Sequence, residues 1–269
     1  MMSRRFVRVL RTGWILLALL ALATACSPEP ARELGYDVVA RYPHDTRAFT
    51  QGLLWHDGEL YESTGLYGES SLRRIDLDTG EVLDVRYLEP DVFAEGLARI
   101  GDELVQLTWR AGKAYRWPVD GFATRSQPTT TYRYAGEGWG LCFDGEQLVM
   151  SDGSDTLTFR DPTTFEATGR ISVTLDGEPL ERLNELECIG DHVWANVWFD
   201  DRIVRIDPKT GLVNGWLDLS EVLPNDERNE LVRDAVLNGI AWRPETETML
   251  VTGKLWPQVI ELALDPAGR

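Results

Sequence analysis

One short phrase recurs five times along the 269-residue chain, at 49–53, 93–97, 137–141, 183–186 and 237–240. Its copies differ mainly at the place two residues before the closing Leu or Ile, which is occupied by Gln51, Glu95, Trp139, Asn184 and Asn238. If repeated strands carry these side chains to equivalent places around one axis, a carboxyl group, three carboxamides and an indole meet there. Such a set is suited to recognising an amide or an amine and to moving a proton.

Glu95 is the candidate proton carrier. On a strand, Phe93 and Glu95 share one face, and a carboxyl group beside aromatic rings at the end of a narrow channel is partly desolvated. Desolvation raises its pKa toward the range in which it both takes and gives a proton near neutral pH. The alternative is a glutamate that caps a turn or faces solvent. The following Gly96 and the repeat-equivalent position favour the catalytic interpretation.

The amides Gln51, Asn184 and Asn238 are candidates for substrate contacts, with buried amides that satisfy backbone groups as the alternative. The chain lacks a G-x-S-x-G elbow or a similar nucleophile pattern, which argues against a general hydrolase. Lys254 is the cation that the repeat places near the same rim, where it could hold a carbonyl oxygen or the acid. Its alternative is a solvated lysine.

Aromatic residues fall in or near the first two strands of the repeats, among them Trp109, Trp139 and Trp198. Aromatic walls would bind an apolar or planar part of a ligand and exclude water. Packing between repeats is the competing interpretation for each of them.

Metal chemistry has little support in the sequence. The three histidines, His44, His56 and His192, lie in separate segments and form no cluster with Cys or Asp at zinc-ligand spacing. We therefore expect no required cofactor and no catalytic metal. A structural calcium held by channel carbonyls and carboxylates stays open, with Asp45 as a weak candidate ligand.

The repeats that carry these residues predict the fold. Their closing residues are 44, 44, 45 and 54 residues apart, a period typical of propeller blades. Turn signals such as Asp57-Gly58 follow each first strand and precede further alternating strands. The fifth copy ends after its third strand, and the segment 36–42 alternates suitably to supply the fourth. We predict an all-β protein, a five-bladed β-propeller with four antiparallel strands per blade, closed by the N-terminal strand.

The longest spacing contains an insertion at about 217–236, whose second half is charged and helix-compatible. It comes just before Asn238, so it forms either part of a rim or lid over the channel or a solvated surface excursion. We predict one propeller domain over 36–266 that includes this insertion.

The first 25 residues differ from the rest. Four arginines precede an apolar run at 14–23, and small residues lead to Cys26. This pattern predicts an export signal and is similar to a bacterial lipoprotein signal, in which Cys26 is lipidated. Plain cleavage and a retained anchor are the alternatives. We expect 26–35 to be a tether, and the protein to be periplasmic or attached to the cell envelope.

Without residues 1–25 the chain has 23 Lys and Arg against 44 Asp and Glu, a formal charge of −21. A surface this acidic repels phosphate backbones, so nucleic acid is not an expected partner. It slightly favours cationic ligands such as a free peptide amine, although solubility outside the cell explains it equally well. Cys142 and Cys188 lie in neighbouring repeats; an exported protein permits a disulfide there, but the sequence leaves the bond open.

The ordered set of motifs resembles the plant-type glutaminyl-peptide cyclotransferases, also called glutamine cyclotransferases, from about Tyr36 to Leu264. The motifs that carry the resemblance are Tyr42-Pro-His-Asp, Phe49-Thr-Gln-Gly-Leu, Phe93-Ala-Glu-Gly-Leu, Leu107-Thr-Trp, Gly138-Trp-Gly-Leu, Leu183-Asn-Glu-Leu-Glu, Ala195-Asn-Val-Trp, Leu237-Asn-Gly-Ile-Ala and Thr252-Gly-Lys-Leu-Trp. Each motif is weak alone, but their order along the chain is specific.

The resemblance implies a five-bladed propeller without a catalytic zinc, which converts the N-terminal glutamine of peptides or proteins to pyroglutamate and releases ammonia. A closed propeller needs no partner, so we expect a monomer. Glu95 would be the acid/base, and Gln51, Asn184 and Lys254 would bind and polarise the substrate. The implied pocket lining is Phe49, Phe93, Trp109, Trp139 and Trp198. Two other functions stay open: a non-catalytic peptide- or sugar-binding propeller lipoprotein, and a calcium-dependent lactonase-like propeller, which the single evident axial acid disfavours.

Overall fold

The computed structural model describes residues 30–125 and 127–266. The predicted export signal and the lipidation of Cys26 lie outside the described residues. Within them the chain forms short antiparallel sheets and little helix, and the inner strands of five sheets contact one another around a central axis. The prediction of a five-bladed β-propeller is confirmed.

Two strands precede the first blade: β1 (Arg32–Glu33) and β2 (Tyr36–Pro43). Blade 1 contains β3 (Thr50–His56), β4 (Glu59–Thr64), β5 (Ser71–Ile75) and β6 (Val82–Tyr87). Blade 2 contains β7 (Ala94–Ile100), β8 (Glu103–Thr108), β9 (Lys113–Pro118) and β10 (Thr130–Arg133). Blade 3 contains β11 (Leu141–Phe143), β12 (Leu148–Met150), β13 (Thr156–Arg160) and β14 (Ala167–Ser172).

A small hairpin of β15 (Thr174–Leu175) and β16 (Glu178–Pro179) leads to the fourth blade. Blade 4 contains β17 (Leu183–Ile189), β18 (His192–Val197), β19 (Arg202–Ile206) and β20 (Val213–Asp218). The short helix α1 (Asn225–Glu230) lies in the insertion. Blade 5 contains β21 (Leu237–Arg243), β22 (Thr248–Gly253) and β23 (Gln258–Leu264).

The ring is closed as the sequence predicts. Strand β2 pairs antiparallel with β23 and supplies the outer strand of blade 5. This pairing covers the edge that β23 would otherwise expose. Residues 32–34, within the segment expected to be a tether, also pack on the propeller: β1 pairs in parallel with β20, and Leu34 is buried in the core between blades 4 and 5.

Small residues let the inner strands approach one another closely at the axis. The glycine that follows the variable position lies against the next blade: a Cβ on Gly52 would stand 2.6 Å from the Leu97 nitrogen, and one on Gly96 would stand 2.6 Å from the Leu141 nitrogen. The repeated glycine therefore reflects the narrow width of the axis. Blade 4 departs from this pattern with Glu185.

A disulfide joins blades 3 and 4. Cys142 and Cys188 are bonded, with Cα atoms 5.5 Å apart. That separation is within the range a disulfide can span, so adjacent inner strands come close enough at these positions. In the part of the chain that is described, no helix has the length and apolar character needed to cross a membrane.

Candidate active site

Four of the five variable residues of the repeat lie in β-bulges, and Trp139 lies just before the first strand of blade 3. The pairing register of the inner strands shifts between Thr50 and Gly52, and again between Ala94 and Leu97. Blades 4 and 5 have the same shift, which encloses Asn184 and Asn238. A bulge carries an unpaired residue and re-aims its side chain. The local fold thus turns these side chains out of the ladder and toward the axis.

A cavity of about 230 Å³ opens on the face of the ring where the inner strands begin. The residues that line it are Phe49, Gln51, Phe93, Glu95, Trp109, Trp139, Asn184, Trp198, Asp234 and Lys254. The structure therefore brings together nine of the ten predicted catalytic and substrate-binding residues. Five of these ten residues are aromatic, and the other five are polar or charged.

Glu95 is the buried acid of the cavity. It is only 4% exposed, and burial raises the pKa of its carboxyl group well above the usual 4.5. Nearby Lys254 and a hydrogen bond from the Gln51 side chain oppose this rise in pKa without cancelling it. One carboxyl oxygen, Oε2, has no hydrogen-bond partner among the described residues. The carboxyl group is thus desolvated, has a raised pKa and has one oxygen that is free to contact a substrate.

Lys254 lies in the cavity wall, directly after β22 of blade 5. Burial lowers the pKa of its ammonium group to about 8, although Glu95 and Asp234 favour the charged form. Its Nζ atom lies 4.8 Å from the centroid of the Phe49 ring, a cation–π distance. Lysine and glutamate therefore meet in a site where each one's charge depends on the other's.

The aromatic wall consists of two groups of rings. In the first, Phe93 packs edge-on against Phe49 at 6.1 Å and against Trp109 at 5.6 Å between centroids. In the second, Trp139 packs perpendicular to Trp198 at 5.4 Å. Edge-to-face packing at these distances is favourable for aromatic pairs. The wall is thus a pre-formed apolar surface.

Glu137 connects the two groups of rings. Its Oε2 atom accepts hydrogen bonds from the indole nitrogens of Trp109 at 2.7 Å and Trp139 at 3.0 Å, and its Oε1 accepts from Arg110 at 2.8 Å. These bonds lower the pKa of Glu137 despite some desolvation. Its negative charge also raises the pKa of Glu95. Glu137 thus orients two rings of the wall.

Asn238 is the predicted contact residue that does not line the cavity. Its amide nitrogen donates to the Thr50 carbonyl at 2.9 Å and to Gln51 Oε1 at 3.3 Å. The side chain is fully buried. Because Gln51 Oε1 accepts from Asn238, the amide nitrogen of Gln51 is the end that faces Glu95. Asn238 therefore positions Gln51, one layer below the cavity.

Asp45, the weak calcium candidate, is engaged by arginines. It accepts hydrogen bonds from the side chains of Arg47 at 3.2 Å and Arg73 at 3.1 Å, and these neighbours lower its pKa. Among residues 30–125 and 127–266, no three or more His, Cys, Asp or Glu side chains form a group arranged to hold a metal ion. The described side chains offer no evident cage for calcium.

Sequence reasoning missed two acidic residues of the site. Asp234 reaches the cavity from the insertion, outside the repeat that located the others. Glu137 was visible as the first residue of the third copy of the phrase, but its role depends on two indoles that only the folded blades bring together. The sequence signal that could have revealed Glu137 is its position two residues before Trp139.

Comparison with known proteins identifies the family of this chain and agrees with its fold. The family model for glutamine cyclotransferase matches residues 13–264. The chain belongs to the glutamine cyclotransferase family. A glutaminyl-peptide cyclotransferase from Arabidopsis thaliana is 41% identical over 232 residues, which cover 86% of this chain and 72% of that protein.

The structural comparison gives the same family. The crystal structure of glutaminyl cyclase from Myxococcus xanthus superposes with a TM-score of 0.80 at 41% identity and covers 88% of this chain and 99% of that one. The predictions that this protein is an enzyme of the glutamine cyclotransferase family and a β-propeller are both confirmed.

Proposed function

We propose that the protein cyclises the N-terminal glutamine of peptides or proteins to pyroglutamate with release of ammonia, and that Glu95 is the general acid and base. The observation that carries this proposal is the buried carboxyl group of Glu95, with a raised pKa and an unpartnered oxygen in a pocket that admits one residue. A group of this kind can accept a proton and return it within one turnover.

The substrate's first residue fits the cavity. At about 230 Å³ the cavity is smaller than the roughly 300–1,000 Å³ of sites for drug-sized ligands, so it takes one residue and leaves the rest of the peptide outside. The rings of Phe93, Trp109 and Trp139 contact the aliphatic part of the glutamine and exclude water. Asn184 Oδ1, which has no hydrogen-bond partner among the described residues, accepts a hydrogen bond from a substrate N–H group.

The reaction forms one bond and breaks one. The α-amine nitrogen attacks the γ-carbonyl carbon of the same residue, and the amine gives its extra proton to Glu95. Glu95 then returns the proton to the γ-nitrogen, which leaves as ammonia when its bond to carbon breaks. Because nucleophile and electrophile belong to one residue, holding them in the reactive geometry removes much of the barrier.

The developing negative charge on the γ-oxygen requires donors. The cavity supplies the Lys254 ammonium and the Gln51 amide, the latter oriented by Asn238. Preorganised donors in a site that excludes water stabilise such an oxyanion more strongly than water does. We assign Lys254 and Gln51 to this role.

The test is ammonia release from short peptides that begin with glutamine, by the wild-type protein and by Glu95→Gln. The amide keeps the shape of the side chain but cannot shuttle a proton, so kcat falls by about 10²–10⁴-fold while KM changes little. Glu166→Gln, on the exposed outer part of blade 3, is the matched control and keeps wild-type rates. Peptide binding without turnover in the wild-type protein would contradict the proposal and favour a receptor.

We propose that catalysis requires no metal or organic cofactor, since an acid, amides and a lysine supply the groups the reaction needs. Ammonia release then continues unchanged in excess chelator. Loss of turnover in chelator, with recovery on added calcium but with an unchanged melting temperature, would show a catalytic metal. A parallel fall in melting temperature would indicate a structural calcium instead.

We also propose that the protein is exported, lipid-anchored through Cys26, and monomeric. The residues before Cys26 support the anchor, and the Cys142–Cys188 disulfide fits an oxidising compartment. Intact mass of protein from the membrane fraction should include the acyl chains, and Cys26→Ser should release the protein from that fraction. An unmodified mass would contradict the anchor.

A further inference from the structure

The insertion between blades 4 and 5 borders two cavities. Its Asp234 lines the catalytic pocket, whereas Arg233 and Ala235 on either side of it line a second cavity of about 250 Å³. The same alternation occurs at Trp198 and Phe199, of which the first faces the pocket and the second faces the other cavity. The two cavities are therefore neighbours that share walls.

Phe199 extends the aromatic wall out of the pocket. Its ring lies 4.6 Å from the Trp198 ring, and the Arg233 guanidinium lies 5.9 Å from its centroid. Even so, Phe199 is 40% exposed, and Val232 beside the same cavity is 61% exposed. Apolar side chains that stay in water next to a ligand pocket are candidates for binding.

The second cavity has a mixed wall of six apolar and four charged residues. Its two carboxylates are both paired with arginines: Asp201 binds Arg228, and Asp200 binds Arg202 at 2.7 Å. The rest of its wall, apart from Arg233, is Phe199, Leu231, Val232, Ala235, Val236 and Trp256. Because both carboxylates are paired with arginines while Phe199 and Val232 stay exposed, contact with a large apolar side chain is favoured over contact with a cationic one.

We propose that this second cavity is a specificity subsite, which takes the side chain of the residue that follows the N-terminal glutamine and favours a large apolar one. The proposal rests on the proposed function. The catalytic pocket holds one residue, so the second residue must lie at its mouth, where Phe199 and the insertion stand. The insertion is thus a substrate-recognition element of this chain.

The experiment compares ammonia release from the dipeptide amides Gln-Gly and Gln-Phe. In the wild-type protein we expect kcat/KM to be about tenfold higher for Gln-Phe, mainly through KM, because burial of a phenyl ring adds binding free energy. In Phe199→Ala we expect the ratio to fall to about twofold, since most of the ring contact is gone. Tyr87→Ala, which removes a more exposed ring from the outer strand of blade 1, keeps the wild-type ratio.

A second variant tests the same subsite by charge. Val232→Asp should raise KM for Gln-Phe and lower it for Gln-Lys, because it places a carboxylate beside the second side chain. Equal kcat/KM for Gln-Gly and Gln-Phe in the wild type, or an unchanged ratio in both variants, would overturn the subsite and leave the proposed function standing. No turnover of any peptide by the wild type would instead overturn the proposed function, and the subsite with it.

Discussion

Lys254 connects the pH dependence of the enzyme to one buried ammonium group. Burial lowers its pKa to about 8, so the ammonium form is lost as pH rises through that value. If the ammonium stabilises the oxyanion, kcat/KM falls above about pH 8. In Lys254→Arg the guanidinium stays protonated in this range, and the alkaline fall moves to higher pH even if the rate is lower.

The measurement is kcat/KM for one peptide between about pH 6 and pH 10 in both proteins, a range that brackets the lowered pKa of Lys254. The α-amine of the substrate titrates identically in both experiments, so a difference between the two profiles belongs to the protein. Profiles with the same alkaline limb would assign that limb to the substrate and remove Lys254 from the oxyanion role.

Glu137 holds two tryptophans of the cavity wall, and under the proposed function it acts on the substrate through them. In Glu137→Gln a single carbonyl oxygen replaces the oxygen pair that now serves Trp109, Trp139 and Arg110. We expect KM to rise by about tenfold as the indoles lose their fixed orientation, which corresponds to one or two lost hydrogen bonds to a charged group. Steady-state kinetics and tryptophan fluorescence measure this change.

The same substitution has an electrostatic effect that a purely structural role would lack. The charge of Glu137 raises the pKa of Glu95, so its removal should shift the acidic limb of the kcat profile to lower pH. Glu146→Gln, in an exposed turn of the same blade, is the matched control. A changed KM with an unmoved acidic limb would limit Glu137 to holding the indoles.

At the scale of the strand, the antiparallel pairing defines a second repeated position. Each closing Leu or Ile of the first strand pairs with a residue of the second strand, and the second repeated position comes three residues after that paired residue, past the end of the second strand. The residues at this position are Gly65, Trp109, Gly153, Trp198 and Lys254. Side chains from three blades enter the cavity there. In the other two blades a glycine leaves room for a ring: Gly65 for Phe93 of the next blade, and Gly153 for Trp139, which precedes the first strand of its own blade.

The space beside Gly65 is occupied by the ring of Phe93. A Cβ at this position would stand 2.3 Å from Cε1 of Phe93, so Gly65→Ala must displace the ring that carries the first half of the aromatic wall. We expect KM to rise by about tenfold with a modest loss of stability, in line with the roughly 1–3 kcal/mol that overpacking costs. Gly169→Ala, on the outer strand of blade 3 with its nearest neighbour 3.4 Å away, is the control. Unchanged kinetics in Gly65→Ala would mean that Phe93 does not contact the substrate.

The strands and their closure could be predicted because a 44-residue period, turn signals and an incomplete fifth blade are all properties of the sequence itself. The aligned position found Gln51, Glu95, Trp139 and Asn184 for the same reason. Asn238 does not line the cavity as predicted. The alignment of the repeats gives equivalent positions in the sequence but not the direction in which each bulge points its side chain. Asp234 could not be predicted from the repeats, because it lies in an insertion that has no counterpart in the other blades.

The ring as a whole depends on one acid at its axis. Four copies of the phrase have glycine after the variable residue, but blade 4 has Glu185. Its carboxyl group is buried and accepts backbone N–H groups from Leu53 of blade 1 at 3.3 Å and Ile240 of blade 5 at 2.9 Å. Three blades are therefore joined through one side chain in the space that glycines leave at the other positions.

Glu185→Ala leaves both of these buried donors without an acceptor, at a cost of about 1–3 kcal/mol each. For a domain of this size that corresponds to a fall in melting temperature of roughly 2–4 °C per kcal/mol. Glu185→Gln keeps one acceptor and should lose about half as much. Thermal unfolding under oxidising conditions measures both variants with the disulfide intact, and Glu178→Gln on the exposed β15–β16 hairpin controls for the loss of a charge. If Glu185→Ala has the same melting temperature as the wild type, Glu185 has no structural role. The close packing at the glycines and the pairing of β2 with β23 would then be enough to stabilise the ring.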